Sequence, residues 1–193
     1  MELLREVRLK MGNSILSKKL GKVRRKVFYT NINRIKTIGI VWDASNPEDF
    51  NSLSKFHQKM NERGVNVTIL GYYPGKELPN QYTALRYFTC LRNREISFFY
   101  VPVSNETEKF INTMFDILID INFEKVFPVY YISSLSKASF KVGLFDKEAN
   151  NSTFDLMMEL KKPVRVEDYL TNVINYLEMI NSGSSGQADK NQL

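Results

Sequence analysis

The sequence is poor in the residues that form disulfides and zinc sites. Its 193 residues include one cysteine, Cys90, and one histidine, His57. A single cysteine cannot close an internal disulfide, and one cysteine with one histidine cannot supply the ligands of a structural zinc site. We therefore expect a protein of a reducing compartment, with no metal centre and no bound cofactor.

Long apolar runs are also missing. No stretch approaches the roughly twenty consecutive apolar residues that cross a bilayer. The amino terminus lacks the apolar core, about 7 to 15 residues long, of a secretory signal. These absences predict a soluble, cytoplasmic protein. Because 43% of the residues are hydrophobic, the chain has enough apolar surface for a buried core, and its length fits one domain.

Acidic residues are absent from residues 7–42, and positive charge accumulates there. The first 36 residues contain eleven Lys and Arg but only two Glu, a net charge of +9, whereas the remainder has a net charge of −3. Apolar residues between Leu3 and Leu16 recur at nearly helical spacing, which predicts an amphipathic helix interrupted near Gly12. The sequence thus predicts a mildly acidic domain preceded by a basic helical arm over residues 1–36.

The arm is the strongest functional signal, because solvated surfaces usually mix charges of both signs. Its basic cluster is followed directly by aromatic residues that could stack on unpaired bases. We expect the arm to dock, without catalysis, onto RNA or a ribonucleoprotein such as the ribosome. The candidate nucleic-acid-binding residues are Lys18, Lys19, Lys22, Arg24, Arg25, Lys26 and Tyr29. An anionic membrane surface is the alternative partner, since an apolar helical stripe with lysines also suits a bilayer.

Short apolar stretches alternate with amphipathic ones from Thr37 onward, which predicts strands alternating with helices. We expect strands over residues 37–42, 65–70, 97–101, 117–121 and 140–145, with a further one within 154–160. We expect helices beginning at residue 47 and over residues 104–114, 128–136 and 166–180. Residues 81–91 fit either a short helix or an edge strand.

This alternation favours an α/β fold, a three-layer sandwich with a largely parallel, Rossmann-like sheet. The single α/β domain is predicted over residues 37–181. A flexible tail rich in Gly and Ser is predicted over residues 182–193. The sequence leaves the oligomeric state open.

A second kind of site is predicted where polar residues follow the strands. Asp43 and Asp120 come at the carboxyl ends of two strands, where open α/β sheets bind ligands. The alternative function is therefore binding of a small ligand, such as a nucleotide or sugar phosphate, with or without catalysis. Its candidate residues are Asp43, Ser45, Asn46, Asp120, Ser136 and Lys137. The simpler interpretation is that these residues cap helices, stabilise turns and interact with a helix dipole.

No catalytic motif accompanies these candidates. His57 is expected within a helix and Cys90 has no evident activating partner, so neither predicts a nucleophilic site. Residues 71–76 follow a strand as a phosphate-binding loop would. However, their glycine spacing is one residue short, and Glu77 stands where such a loop has Ser or Thr. We therefore predict no catalytic residues.

Three runs of the sequence resemble a family of short, uncharacterised bacterial α/β proteins. They are Thr37-Ile38-Gly39-Ile40, residues 115–120 and residues 136–143, together with the basic start. The resemblance extends to about residue 181 and implies one α/β domain of unknown function. The strand ending in Asp120 and the later Lys-Val-Gly are also similar to the amino-terminal half of sugar-transferring enzymes with two nucleotide-binding-like domains. Those enzymes hold the donor with a second domain, for which we expect no room in this chain.

Overall fold

A parallel β-sheet forms the centre of the structure, a computed structural model that describes residues 2–83, 85–146 and 153–183. Within these residues the sheet has six strands: β1 (Thr37–Asp43), β2 (Asn66–Tyr73), β3 (Phe88–Arg92), β4 (Ile117–Ile121), β5 (Phe140–Leu144) and β6 (Leu156–Met158). All neighbouring strands pair in parallel. Their order is β3-β2-β1-β4-β5-β6, so the direction of winding reverses between β1 and β4. The predicted α/β fold with a Rossmann-like sheet is confirmed.

Helices cover both faces of this sheet. In the described ranges they are α1 (Glu2–Leu20), α2 (Phe50–Glu62), α3 (Asn105–Asn112), α4 (Phe127–Leu135) and α5 (Val166–Gly183). α2 and α5 pack on the face that carries Ile40 and Ile119. α3 and α4 pack on the opposite face, which carries Leu70 and Leu118. α1 lies outside α4, where Leu16 packs against side chains of α4.

Polar residues begin helices where the sequence predicts them. The Asn46 side chain accepts a hydrogen bond at 3.3 Å from the backbone N–H two residues later, just before the 3₁₀ turn Pro47–Asp49 that leads into α2. Ser104 Oγ accepts a hydrogen bond at 3.1 Å from the backbone N–H of Thr107 at the start of α3. Gly64 follows α2 with a φ of +73°, a left-handed conformation that glycine adopts without strain. These local signals explain why the order of elements follows from the sequence.

The helix of the arm differs from its prediction at Gly12. Residues 2–20 form one continuous helix. Gly12 is buried where α1 crosses the domain, since a side chain at this position would meet the carbonyl oxygen of Phe99 and, at 2.9 Å, the ring of Phe127. Gly12 therefore permits close packing, and the predicted interruption of the helix was wrong.

The strand predicted over residues 97–101 was also wrong. This described segment turns back on itself: the Ser97 N–H donates to the Val101 carbonyl at 2.8 Å, and Tyr100 has a φ of +61°. The guanidinium of Arg8 lies 4.5 Å from the ring centre of Phe98 and 4.1 Å from that of Tyr100. The aromatic residues that favoured a buried strand instead contact α1.

The remaining elements lie close to their predictions. The ambiguous residues 81–91 contain the end of a 3₁₀ turn, Asn80–Tyr82, and most of the edge strand β3. α5 extends to Gly183, so it includes the first residues of the predicted flexible tail, and residues 184–193 lie outside the described residues. None of the helices in the described ranges has both the length and the apolar composition needed to cross a membrane.

Candidate functional site

The basic segment, residues 18–29, is fastened to the domain by hydrogen bonds. The guanidinium of Arg25 donates to both carboxylate oxygens of Asp155, at 2.8 and 2.7 Å. The backbone N–H of Phe28 donates to a carbonyl just before β5 at 3.0 Å, and the Tyr29 hydroxyl donates to a carbonyl of α5 at 2.6 Å. Arg25 and Tyr29, two of the predicted nucleic-acid-binding residues, are thus partly buried and engaged in the fold.

The other basic side chains of this segment face solvent. None of them forms an ion pair with an acidic residue in the described part of the chain. The ring of Phe28, which is 58% exposed, lies in the same segment. The exposed cations are Lys18, Lys19, Lys22, Arg24 and Lys26. The structure therefore presents five of the six predicted basic side chains to solvent.

A cleft of about 430 Å³ lies between α1, α3 and α4, and two of these lysines line it together with a third lysine from outside the segment. Lys19, Lys22 and Lys137 all line this basic cleft, and Lys19 Nζ lies 5.5 Å from the ring centre of Tyr131 on its wall. Ser136, by contrast, is buried and accepts a hydrogen bond from a backbone N–H at 3.2 Å. Of the two predicted ligand-binding residues after α4, only Lys137 is available at a surface.

The polar residues after β1 serve the local backbone. Asp43 Oδ1 accepts hydrogen bonds from the backbone N–H and the hydroxyl of Ser45, at 3.1 and 2.5 Å. Asn46 caps the following 3₁₀ turn. Ser136 and Lys137 follow α4, which returns to the amino-terminal edge of the sheet, so they lie at the edge opposite Asp43 and Asp120. The predicted small-ligand residues therefore do not form one site.

A cavity of about 640 Å³ opens at the carboxyl ends of β4, β5 and β6, and we call it the strand-end pocket. It lies beside the amino-terminal end of α4. Asp120, at the end of β4, lines it. Aromatic side chains supply much of its wall, namely Phe123, Phe127, Tyr130, Phe145 and Phe154. Sequence analysis identified the aspartate but missed these rings, because they come from four separate segments: the residues after β4, the residues after β5, helix α4 and the residues before β6.

Asp120 is almost completely buried and fixed by two hydrogen bonds. Its Oδ1 accepts from the backbone N–H of Asn122 at 2.9 Å, and its Oδ2 accepts a short hydrogen bond from the Ser133 hydroxyl. Burial raises the pKa of Asp120 to about 7, although both hydrogen bonds favour the charged form. A buried carboxyl that titrates near neutrality in a cavity is a common feature of functional sites.

Lys141, the second residue of β5, is also buried. Its Nζ donates hydrogen bonds to the carbonyls of Ser133 and Ser134, at 2.8 and 3.0 Å, in the last turn of α4. Burial lowers the pKa of Lys141 to about 7. Its contacts satisfy carbonyls that a helix end leaves unpaired. The signal for it in the sequence was a lysine inside an otherwise apolar strand.

The two residues considered as nucleophilic partners lie in ordinary structural positions. The ring of His57 stacks on Tyr87 with centres 3.7 Å apart, and burial lowers its pKa. Cys90 lies in β3, where burial raises its pKa to about 12, so the thiolate is disfavoured. Within the described ranges, no group of His, Cys, Asp and Glu side chains is arranged to hold a metal ion.

The fold and its surfaces define a Rossmann-like α/β protein with a basic segment fixed to its surface. The chain belongs to the family of unknown function DUF6913, which matches residues 8–180. The predicted membership of an uncharacterised family is confirmed. Comparison with curated protein sequences gives no match.

Among solved structures, the chain is similar to E. coli heptosyltransferase WaaC with ADP. The TM-score is 0.39 and the sequence identity is 12%, and the match covers 81% of this chain and 49% of that chain. This chain therefore spans about half the length of that enzyme. A likeness at this level carries no argument about function.

Proposed function

We propose that this protein is a non-catalytic cytoplasmic protein that docks onto RNA, free or within a ribonucleoprotein such as the ribosome, through its basic segment. The observation that carries the proposal is the exposure of five cations on a segment fixed to the domain. Because the segment is already ordered by Arg25 and Tyr29, binding costs less conformational entropy than docking of a free arm.

The charges of the segment suit a phosphate backbone. Each exposed cation that neutralises a phosphate releases a counterion, so affinity depends steeply on salt. With five contacts to single-stranded RNA, the slope of log affinity against log salt is about −3.5, which corresponds to a loss of roughly 130-fold between about 50 and 200 mM salt. Lys137, across the basic cleft from Lys22, extends the same positive surface.

The exposed ring of Phe28 favours single-stranded RNA over an anionic membrane. A base can stack on an aromatic ring that lies beside cations, and such stacking contributes about 1–3 kcal/mol per base. Peripheral membrane binding needs a continuous apolar face next to the cations. Most exposed apolar side chains of α1, such as Leu3 and Val7, lie towards its amino-terminal end. The exposed apolar residues beside the cations, Leu20 and Val27, do not share a helix, because α1 ends at Leu20, so they do not form one continuous apolar face.

The test is fluorescence anisotropy with a labelled short poly(U) RNA across a range of salt concentrations. The full chain is compared with a triple variant, Lys22→Ala, Arg24→Ala and Lys26→Ala. Removal of three of five phosphate contacts is expected to change the slope from about −3.5 to about −1.4. The three side chains are exposed and carry no ion pair in the described ranges. Arg24 also donates to the Gly21 and Val23 carbonyls, at 3.1 and 3.3 Å, but both lie within the same short segment, so the fold of the domain is expected to remain intact.

A matched control removes the same charge elsewhere. Lys55, Lys59 and Lys76 are exposed and lie outside the basic segment, and their replacement by Ala is expected to leave the slope near that of the unaltered protein. Equal effects of the two triple variants would refute the proposal, as would affinity that does not change with salt. Binding to vesicles with anionic lipid, without binding to RNA, would also refute it. Sedimentation of cell lysate through a sucrose gradient then tests whether the target is a ribosomal particle.

A further inference from the structure

We propose that the strand-end pocket binds a small neutral or cationic molecule that combines an aromatic ring with an amino or hydroxyl donor. The donor binds the carboxyl of Asp120, and the ring packs against the aromatic wall. This site is separate from the basic segment, and the proposal does not depend on RNA docking.

The position and size of the pocket support this inference. Parallel α/β sheets bind ligands beyond the carboxyl ends of their strands, and the pocket opens at that edge, over β4, β5 and β6. Its volume of about 640 Å³ lies within the usual range for small-molecule sites, about 300–1,000 Å³. The space suits a molecule with one or two fused rings and a short substituent.

The wall of the pocket favours a flat ring. Phe127 and Tyr130 contribute from α4, while Phe145 and Phe154 contribute from the segments that flank β5 and β6. The ring of Phe154 lies directly on the backbone of Gly143, where any side chain would overlap it. Aromatic pairs prefer offset-stacked or edge-to-face contacts, which these rings offer to a bound ring from several sides.

Asp120 gives the pocket a polar end with unused hydrogen-bonding capacity. Each carboxylate oxygen can accept two hydrogen bonds, and each oxygen of Asp120 accepts one, from Asn122 or Ser133. Asp120 forms no ion pair in the described ranges, and Lys141 donates to backbone carbonyls instead. An N–H or O–H of a ligand would therefore meet an acceptor that the protein leaves partly unsatisfied.

The charges around the pocket disfavour anions. Two lysines and three acidic residues line it, and one lysine is paired at 3.0 Å with one of the acids. These residues are Lys125, Lys162, Asp120, Asp146 and Glu159. Lys162 forms no ion pair with a described residue, but the acidic residues of the lining outnumber the lysines. A phosphate or carboxylate beside the buried Asp120 would be repelled by its carboxylate, whereas a neutral or cationic donor group would not be.

The experiment uses the full chain and a matched set of fragments, in which each aromatic ring occurs as an amine, an alcohol and a carboxylic acid. Binding is measured by saturation-transfer NMR, and dissociation constants are then determined by titration. We expect amines and alcohols to bind and the matching acids not to bind. Asp120→Asn keeps the size of the side chain and one acceptor but removes the charge. It is therefore expected to raise the dissociation constants of the amines at least about tenfold and those of the alcohols by less.

A second variant and a control keep the proposal testable even if Asp120→Asn does not fold. Met157, a partly exposed residue of the pocket wall, is replaced by Trp to fill the space, which is expected to abolish binding of the whole set. Phe98→Ala removes an exposed ring that does not line the pocket, and it is expected to change nothing. Acids that bind as well as amines, hits that persist in Met157→Trp, or no hits at all would each overturn the proposal.

Discussion

The substitution Asp120→Asn tests directly whether the buried carboxyl at the end of β4 titrates as its surroundings require. Asp120 is 5% exposed, and burial raises its pKa from 3.8 to about 7. Asn occupies nearly the same volume and carries no charge. The pH dependence of the difference in unfolding free energy between the two proteins therefore isolates the cost of ionising this residue in the folded state, because changes in hydrogen bonding contribute a constant offset.

The sign and size of the effect follow from linkage between protonation and folding. Below pH 4 the carboxyl is protonated in both the folded and the unfolded chain, so its ionisation contributes nothing. Between pH 4 and 7 the unfolded chain releases the proton and the folded chain retains it, so the unaltered protein loses stability as pH rises. A pKa shift of about 3 units, at roughly 1.4 kcal/mol per unit, lowers the unfolding free energy by an amount on the order of 4 kcal/mol. This loss of stability is complete above pH 7.

Urea unfolding at several pH values between 4 and 7 provides the measurement. Asp120→Asn is expected to gain stability relative to the unaltered protein by up to about 1.4 kcal/mol per pH unit. Ser133→Ala is the companion variant, and it removes the hydroxyl that favours the charged form of Asp120. The pKa of Asp120 is therefore expected to rise further, so that the protein continues to lose stability as the pH rises above 7. A pH-independent difference between the unaltered protein and Asp120→Asn would refute this account of Asp120.

Two further predictions concern how the basic segment and α1 are held. Arg25→Ala breaks the paired hydrogen bonds to Asp155 and is expected to lower the free energy of urea unfolding by about 1–3 kcal/mol. Lys26→Ala, at the exposed neighbouring position, is expected to change it by less than about 0.5 kcal/mol. Equal values for the two variants would contradict this. Gly12→Ala is expected to cost about 1–3 kcal/mol through overpacking against Phe127. Gly21→Ala, with only carbonyl oxygens near 4 Å, serves as its control, and a neutral Gly12→Ala would show that α1 does not pack as described.

The fold was largely predictable because its signals are local. β4, Ile117–Ile121, is a short run of apolar residues whose bounds match the prediction, and Asn46 with Pro47 marked the start of the next helix through a cap that the structure contains. Alternation of such strands and helices is sufficient to indicate a parallel sheet. The edge strand β3 was ambiguous, since its partly exposed positions weaken the apolar pattern.

The errors come from contacts between distant parts of the chain. Gly12 in isolation weakens a helix, but in the structure it allows α1 to approach Phe99 and Phe127. The aromatic residues near Phe98 gave the pattern of a buried strand, whereas they surround Arg8 from a segment ninety positions away. Neither partner could be identified from spacing, because the pairing depends on how α1 lies across the domain.

The same contacts determine how the proposed RNA-docking surface must be tested. Phe127 touches Gly12 of α1 on one side and lines the strand-end pocket on the other. Asp155, which Arg25 holds, directly follows Phe154 in the pocket wall. Deletion of residues 1–36 would remove both supports and expose the side chains that Leu16 covers, so it would perturb the pocket and the fold along with the positive surface. Substitution of the outward-facing cations alone changes the charge and leaves these contacts in place.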